Sequence, residues 1–398
     1  MKKFCFIFIL TYLITLPLFL LGKATPLQLQ QFEETLTYGI PSARKATLNQ
    51  IKTLKDEKTY PFIQKVIEND QDPDVLLDAV RLAGDFEIKE ASAGILKMVE
   101  ETKNNPLKAT CYRALGKLAF QEASKLALED MEHENVDVKQ AAIFYLGEIK
   151  EKKALEKLYE ILEKLEEKED VLQEVVQTIG KIGDKSSIEK LKEVLENTGY
   201  SKFVRMYAPI ALAKIGGKEV TEILNQAVQD PEYFIRIRAI YAISQLEGAD
   251  ISGLSKALQN ALKDQDMNIR LTAMDAVTTS KDQSYLEFIQ YLMEKDPEFK
   301  VRQKAFLCYA KLEDLSKVNS FYKEKLLERG HFQYKRLILD AIKEAEIKDY
   351  TSLLDQAFFE KDLGDLRQAI LKLLGEKIAD DSAFDLVVKI ANSSDLKG

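Results

Sequence analysis

Val138-Lys139-Gln140-Ala141-Ala142-Ile143-Phe144-Tyr145-Leu146-Gly147 is the stretch on which the fold turns. It runs from an aliphatic residue through a basic one, two variable positions and a small residue. Four residues later comes a second aliphatic, with Gly after it. Numbered from Val138 as 0, the apolar positions 0, 4 and 8 fall on one stripe of a helix with 3.6 residues per turn. The same grammar returns at Ile235-Arg236 with Ala239 and Ile243, and at Val301-Arg302 with Ala305 and Tyr309. Outward from there, the second aliphatic slot falls at Ile51, Ala83, Leu115, Leu146, Ile179, Leu212, Ile243, Val277, Tyr309, Ile342 and Leu374, at intervals of 31 to 34 residues. A period held so closely over eleven occurrences marks an internal repeat.

Between successive strings lies a second helical pattern, as in Ile188, Leu191, Val194 and Leu195. Asp72-Pro73, Asn105-Pro106, Asp230-Pro231 and Asp296-Pro297 stand where repeats join. Pro suits a first helical turn and Asp or Asn the cap before it, so these mark helix starts rather than domain linkers. Gly147, Gly180, Gly183 and Gly216 punctuate the ends of the motif helices, and no long alternating run argues for a strand. A two-helix repeat of this size cannot bury its apolar face alone; stacking against its neighbours does so. The expectation is therefore an all-α protein, a right-handed α-solenoid of about eleven two-helix repeats over residues 41–391. A capping helix is expected over 25–40 and a frayed end over 392–398.

Ile179-Gly180-Lys181-Ile182-Gly183-Asp184, followed by Val204-Arg205, Ala208 and Leu212-Ala213-Lys214-Ile215-Gly216, resembles the HEAT-repeat family. The resemblance is greatest to the short HEAT-like variety also found in phycobilisome-lyase-type proteins, and it covers roughly residues 41–391. Leu76 and Leu172 replace the basic residue in two repeats, and Thr278 replaces Gly in another. Pro209 lies inside a motif helix, where it is expected to kink it.

The chain of 398 residues is 46% hydrophobic and 31% charged, which excludes a disordered chain and a polytopic membrane protein. Its net charge of -8 argues against a nucleic-acid partner held through phosphates. Lys2 and Lys3 precede an apolar run from Phe4 to Leu21, and Gly22-Lys23-Ala24 follows. That layout reads as a secretory signal over 1–24 cut after Ala24, so an exported, periplasmic or secreted protein is expected. An uncleaved segment would instead be the chain's contact with the membrane. Export makes the cysteines worth weighing; Cys111 and Cys308 lie six repeats apart and are expected to be buried apolar residues, not a disulfide.

The basic slot holds Arg44, Lys108, Lys139, Arg205, Arg236, Arg270, Arg302, Lys335 and Arg367. Six of the chain's 11 Arg fall there although Lys is about four times commoner, so the position selects a planar, multi-donor cation. An internal ladder to acids at inter-repeat turns, such as Asp137, Asp264, Asp266 or Asp365, is the expectation, and the family resemblance implies the same. Facing away from the core are positions 2 and 6. They are mostly polar, but turn apolar at Met206, Ile210, Ile237, Tyr241, Leu271 and Leu307. By the resemblance, this helix lines the concave surface. An apolar strip there is what a binding groove for another protein's helix needs.

His133 and His331 stand in no metal-ligand spacing. No Gly-x-Ser-x-Gly elbow, phosphate-cradling Gly loop or Cys-x-x-Cys pair occurs. The sequence therefore offers no catalytic residues, metal ligands or cofactor site. The expected function is a non-enzymatic protein-binding scaffold of the cell envelope. The family resemblance implies one alternative, a tetrapyrrole (bilin) lyase or isomerase, and an uncleaved signal implies another, a membrane-anchored spacer.

Overall fold

The computed structural model describes residues 23–246, 255–328, 330, 332–345, 347, 350–359, 364–377 and 379–393. The expected signal lies outside them up to Gly22, as do His331 and residues 394–398. No helix among the described residues is long and apolar enough to cross a membrane.

Each expected repeat has its pair of helices, a leading one that carries the motif and a trailing one. Repeats 1 to 5 are Pro41–Leu54 with Tyr60–Asn69, Pro73–Asp85 with Ser92–Glu101, Asn105–Lys117 with Ser124–Asp130, Val136–Glu148 with Leu155–Glu163, and Glu169–Ile182 with Ile188–Glu196. Repeat 6 is Lys202–Arg205 and Ala208–Ile215 with Lys218–Ala227. Repeats 7 to 11 are Tyr233–Ser244 with Ser255–Ala261, Met267–Ser280 with Leu286–Lys295, Phe299–Leu312 with Leu315–Leu327, Phe332–Glu344 with Tyr350–Phe359, and Gly364–Glu376 with Asp381–Ala391. A further helix, Pro26–Tyr38, precedes them. Thr25 caps it: its side chain accepts from Gln28 N–H, and the Gln28 side chain accepts from Thr25 N–H. The protein is an all-α solenoid of paired helices.

Two helices start where the punctuation predicts, at Pro73 and Asn105, because short polar side chains satisfy their first N–H groups. After Asp230-Pro231 and Asp296-Pro297 the helices start later, at Tyr233 and Phe299, without a side-chain cap. Asp72 Oδ1 accepts from the N–H groups of Asp74 and Val75, both at 3.1 Å. Asn104 Oδ1 accepts from Leu107 N–H at 3.0 Å, and Asn135 and Asp266 cap their helices in the same way.

The chain divides into two compact bodies, residues 1–211 and 212–398. In the first, consecutive leading helices pack side by side, and the slot residues Ile51, Ala83, Leu115, Leu146 and Ile179 are wholly buried. In repeats 2 to 5 the residue after the slot is Gly, and there the next leading helix comes close. A Cβ at Gly84 would lie 2.9 Å from Ala114 Cα, and one at Gly116 would lie 3.3 Å from Tyr145 Cα. At Gly147 it would lie 3.0 Å from Thr178 Oγ1, and at Gly180 2.5 Å from Ala211 Cα. In every case the opposing residue immediately precedes the next slot. These four glycines lie inside their helices, so Gly147 and Gly180 serve helix approach rather than ending the helix as expected. Gly183, at φ +75, and Gly216, at φ +70, do end their helices in the left-handed backbone that favours Gly.

Buried hydroxyls in this body are paired. Tyr112 donates to Asp130 Oδ2 at 2.7 Å, and Tyr145 donates to the Phe120 carbonyl at 2.6 Å, with the two rings 5.9 Å apart. At Pro209 the leading helix of repeat 6 breaks into Lys202–Arg205 and Ala208–Ile215, a sharper interruption than the kink expected. Without an N–H, Pro209 cannot bond back to the Arg205 carbonyl, and its ring crowds that turn.

In the second body the leading helices of repeats 7 to 11 pack in order, burying Ile243, Val277, Tyr309, Ile342 and Leu374. Phe306 of repeat 9 meets Tyr334 of repeat 10 edge to face with centroids 4.6 Å apart. Thr278, at the position that is Gly in other repeats, places its Oγ1 3.0 Å from Cys308 Sγ, again the residue before the next slot. Cys111 and Cys308 are both buried free thiols. Burial pushes each up to about 12, so neither is a ready thiolate.

Candidate binding face and its basic ladder

Each basic-slot residue sits one position past position 0 of the motif, in the first turns of its leading helix, which aims it at the turns at that end. In the second body the result is continuous. Arg236 Nε lies 3.3 Å from Asp264 Oδ2, while its Nη1 donates to the carbonyls of Asp230 at 3.1 Å and Pro231 at 3.0 Å. Arg270 donates from Nε and Nη2 to the two carboxylate oxygens of Asp296 at 2.8 and 2.9 Å. Its Nη1 donates to the carbonyls of Asp264 at 2.8 Å and Gln265 at 3.1 Å. Arg302 Nη1 in turn donates to the carbonyls of Asp296 at 2.5 Å and Pro297 at 3.0 Å. Arg236 and Arg270 thus each span two turns, the carbonyls of the one before their own helix and the acid of the one after, while Arg302 holds the carbonyls of the turn before its helix. One planar fork can do that and one ammonium cannot, which accounts for the preference for Arg.

In the first body Arg44 follows the same scheme, with Nη2 2.9 Å from Asp70 Oδ1 and Nη1 donating to the Gly39 carbonyl at 2.6 Å. Lys108 pairs with Asp130 and Lys139 with Glu167, each at 2.7 Å. Arg205 donates to the Leu195 carbonyl at 2.7 Å, and Arg367 of the second body to that of Phe358 at 2.9 Å. Lys335 is buried. Of the acids named from the sequence, Asp264 joins the ladder, but Asp266 caps its helix and Asp137 is exposed in a first turn. The side chain of Asp365 lies outside the described residues.

The Lys139–Glu167 rung gives a pH test. Burial pushes the Glu167 carboxyl up, but the Lys139 ammonium and the Lys168 N–H outweigh it, so the group titrates below its ordinary value. A lowered folded-state value stabilises the fold above the unfolded value of 4.5 and loses that contribution as pH falls through the folded one. Glu167→Gln is expected to melt lower than wild type at neutral pH, with the gap closing in acid; thermal scans across pH measure it.

Six residues were expected on the outward face. Met206 and Ile210, of the first body, are half-buried at and just after the break in repeat 6. In the second body Ile237 and Tyr241 lie one turn apart on the leading helix of repeat 7, with Leu271 on that of repeat 8 and Leu307 on that of repeat 9. These three helices pack in sequence. Tyr241 is 45% exposed, and Ile237, Leu271 and Leu307 are half-buried. Beside them, Asp275 and Lys304 form an ion pair at 2.5 Å.

Sequence reasoning passed over a related feature in the first body. Phe144 occupies position 6 of repeat 4, with the Lys181 ammonium 4.3 Å and the Arg113 guanidinium 5.7 Å from its ring centre. Lys181 also reaches Glu148 at 2.9 Å. Applying the position-6 rule to every repeat would have found it. His133 has a local structural part, its Nδ1 accepting from Asn135 N–H at 3.0 Å.

The HEAT repeats family profile matches residues 92–168, 124–201 and 158–244. No curated protein matches the sequence. Among solved structures, the chain is similar to one from the Kap95p–RanGDP complex, at 13% identity and a TM-score of 0.50; the match covers 92% of this chain and 61% of that one. It is also similar to an engineered protein at 15% identity, TM-score 0.43, covering 80% and 99% of the two chains. The complex of CpcE and CpcF of phycocyanin lyase from Nostoc sp. PCC7120 matches at 17% identity, TM-score 0.32, covering 71% and 93%. At these identities the likeness is one of fold.

Proposed function

The chain is a HEAT-repeat protein, and from that premise we propose that it is a non-enzymatic binding scaffold that captures another protein on the outward face of its leading helices. The observation that carries this is Tyr241, 45% exposed on the same helix as Ile237 and beside the packed helices that bear Leu271 and Leu307. A large amphipathic ring standing out of a row of half-buried aliphatics is the composition of an interface anchor, since it contributes area at little entropic cost. Stacked repeats supply an extended surface of this kind. The net charge of -8 disfavours a partner held through phosphates, which favours a polypeptide.

The place of action we propose is the cell envelope, reached by export. Support comes from the sequence: the basic start, the apolar run Phe4 to Leu21, and Gly22-Lys23-Ala24. Cleavage after Ala24 removes Lys2, Lys3 and Lys23 and leaves a body with a net charge of -11. The intact mass of the protein isolated from its own cells tests this, since a retained segment makes the chain a tethered spacer instead.

Capture itself is tested by crosslinking in the native cell. Tyr241→Glu combined with Ile237→Lys is expected to remove the captured partner while circular dichroism and melting stay unchanged. The same crosslinked species with both chains would overturn the reading.

A further inference from the structure

The arginine ladder of the second body is left open at Arg302. Arg236, Arg270 and Arg302 each hold Nη1 on the carbonyls of the turn before their own helix, so the three guanidinium groups share one pose. In that pose the Nε and Nη2 edge of Arg270 grips both carboxylate oxygens of Asp296 at 2.8 and 2.9 Å. Asp296 is the C-cap of its trailing helix, just as Asp70, the partner of Arg44, is the C-cap of its own. The corresponding C-cap in repeat 9 is Glu328. Its carboxylate turns instead to the Lys325 ammonium at 3.2 Å and is 52% exposed. Among the described residues no acid reaches Arg302, which donates only to the Asp296 and Pro297 carbonyls.

Beside Arg302 lies a cavity of about 360 Å³. Phe299, Phe332, Tyr334 and Leu337 line it, and the exposed Glu294 stands against it. Phe299 is 46% exposed, its ring centre 5.8 Å from the Arg302 guanidinium carbon. A planar cation with an unused bidentate edge, set among aromatic and aliphatic side chains, recognises a carboxylate that has an apolar neighbour.

We propose that this cavity binds an Asp or Glu side chain of a partner polypeptide, which completes for Arg302 the rung that Asp296 completes for Arg270. The adjacent repeat shows the ligand that the pose fits, a side-chain carboxylate held by two parallel N–H bonds. An apolar residue next to that acid packs on Phe299 and Phe332. Glu294 decides the source. It repels a bare organic acid, whereas the backbone N–H groups beside an acidic residue in a peptide can donate to it. The site shares no residue with the outward face built on Tyr241.

Fluorescence anisotropy of the full-length protein tests this with a dye-labelled peptide, Leu-Phe-Asp-Leu, and its counterpart with Asn in place of Asp. The Asp peptide is expected to bind at least about tenfold more tightly, the scale of a charge-assisted bidentate bond. Arg302→Lys keeps the charge but not the fork and should lose most of that preference. Phe299→Ser, at an exposed position, should weaken the Asp peptide about tenfold with an unchanged melting temperature. Equal binding of the two peptides overturns the proposal. So does a preference for Asp that survives Arg302→Lys and Phe299→Ser together, and so does phenylacetate binding as tightly as the peptide.

Discussion

Arg270→Ala is expected to destabilise the second body by about 3–5 kcal/mol, the usual cost of stranding one partner of a buried ion pair. The size follows from what is left behind. The Asp296 side chain is 3% exposed, and it loses both guanidinium bonds at 2.8 and 2.9 Å. Its remaining neighbour is the Glu298 N–H at 2.9 Å, which serves one oxygen. The carbonyls of Asp264 and Gln265 lose a donor as well. Arg270→Lys is expected to recover only part of the loss, because one ammonium cannot reach both carboxylate oxygens and both carbonyls. Arg270→Ala with Asp296→Asn should cost less than Arg270→Ala alone, since the stranded charge is gone. Urea unfolding of the three variants measures the series, and equal stability of Arg270→Ala and wild type would show the ladder to be decoration.

Gly180→Ala is expected to destabilise by about 1–3 kcal/mol, the range for overpacking a close contact. The sign is the informative part, because Ala is favoured over Gly inside a helix by about 1 kcal/mol. At Gly180 the added methyl would stand 2.5 Å from Ala211 Cα and 2.7 Å from Ala211 Cβ, so backbone must move. Gly375→Ala, at the same position of repeat 11, meets nothing and is expected to stabilise the isolated chain by up to about 1 kcal/mol. Opposite signs for one substitution at two equivalent repeat positions would separate helix approach from helix propensity. Urea midpoints suffice to read them.

The repeat grammar was legible because stacking imposes one environment on equivalent positions. The slot residues from Ile51 to Leu374 are all buried, and the helix starts at Pro73, at Asn105 and after Asp266 follow their caps. The preference for Arg in the basic slot was likewise visible as composition. Its partners were less so. Asp296 and Asp70 were not named as ladder acids from the sequence, since nothing local says which of several turn acids a guanidinium two turns away will meet. Pro209 was read as a kink and proves a break, because the outcome depends on how tightly neighbouring helices hold the segment.

Local periodicity and capping chemistry act within one or two helical turns, so sequence alone determined the class of fold and where the apolar stripe of each motif helix falls. Whether an outward residue is covered depends on the next repeat. Only the tertiary structure could distinguish exposed Tyr241 from half-buried Leu271 and Leu307, or give Gly180 an opposing backbone and leave Gly375 without one.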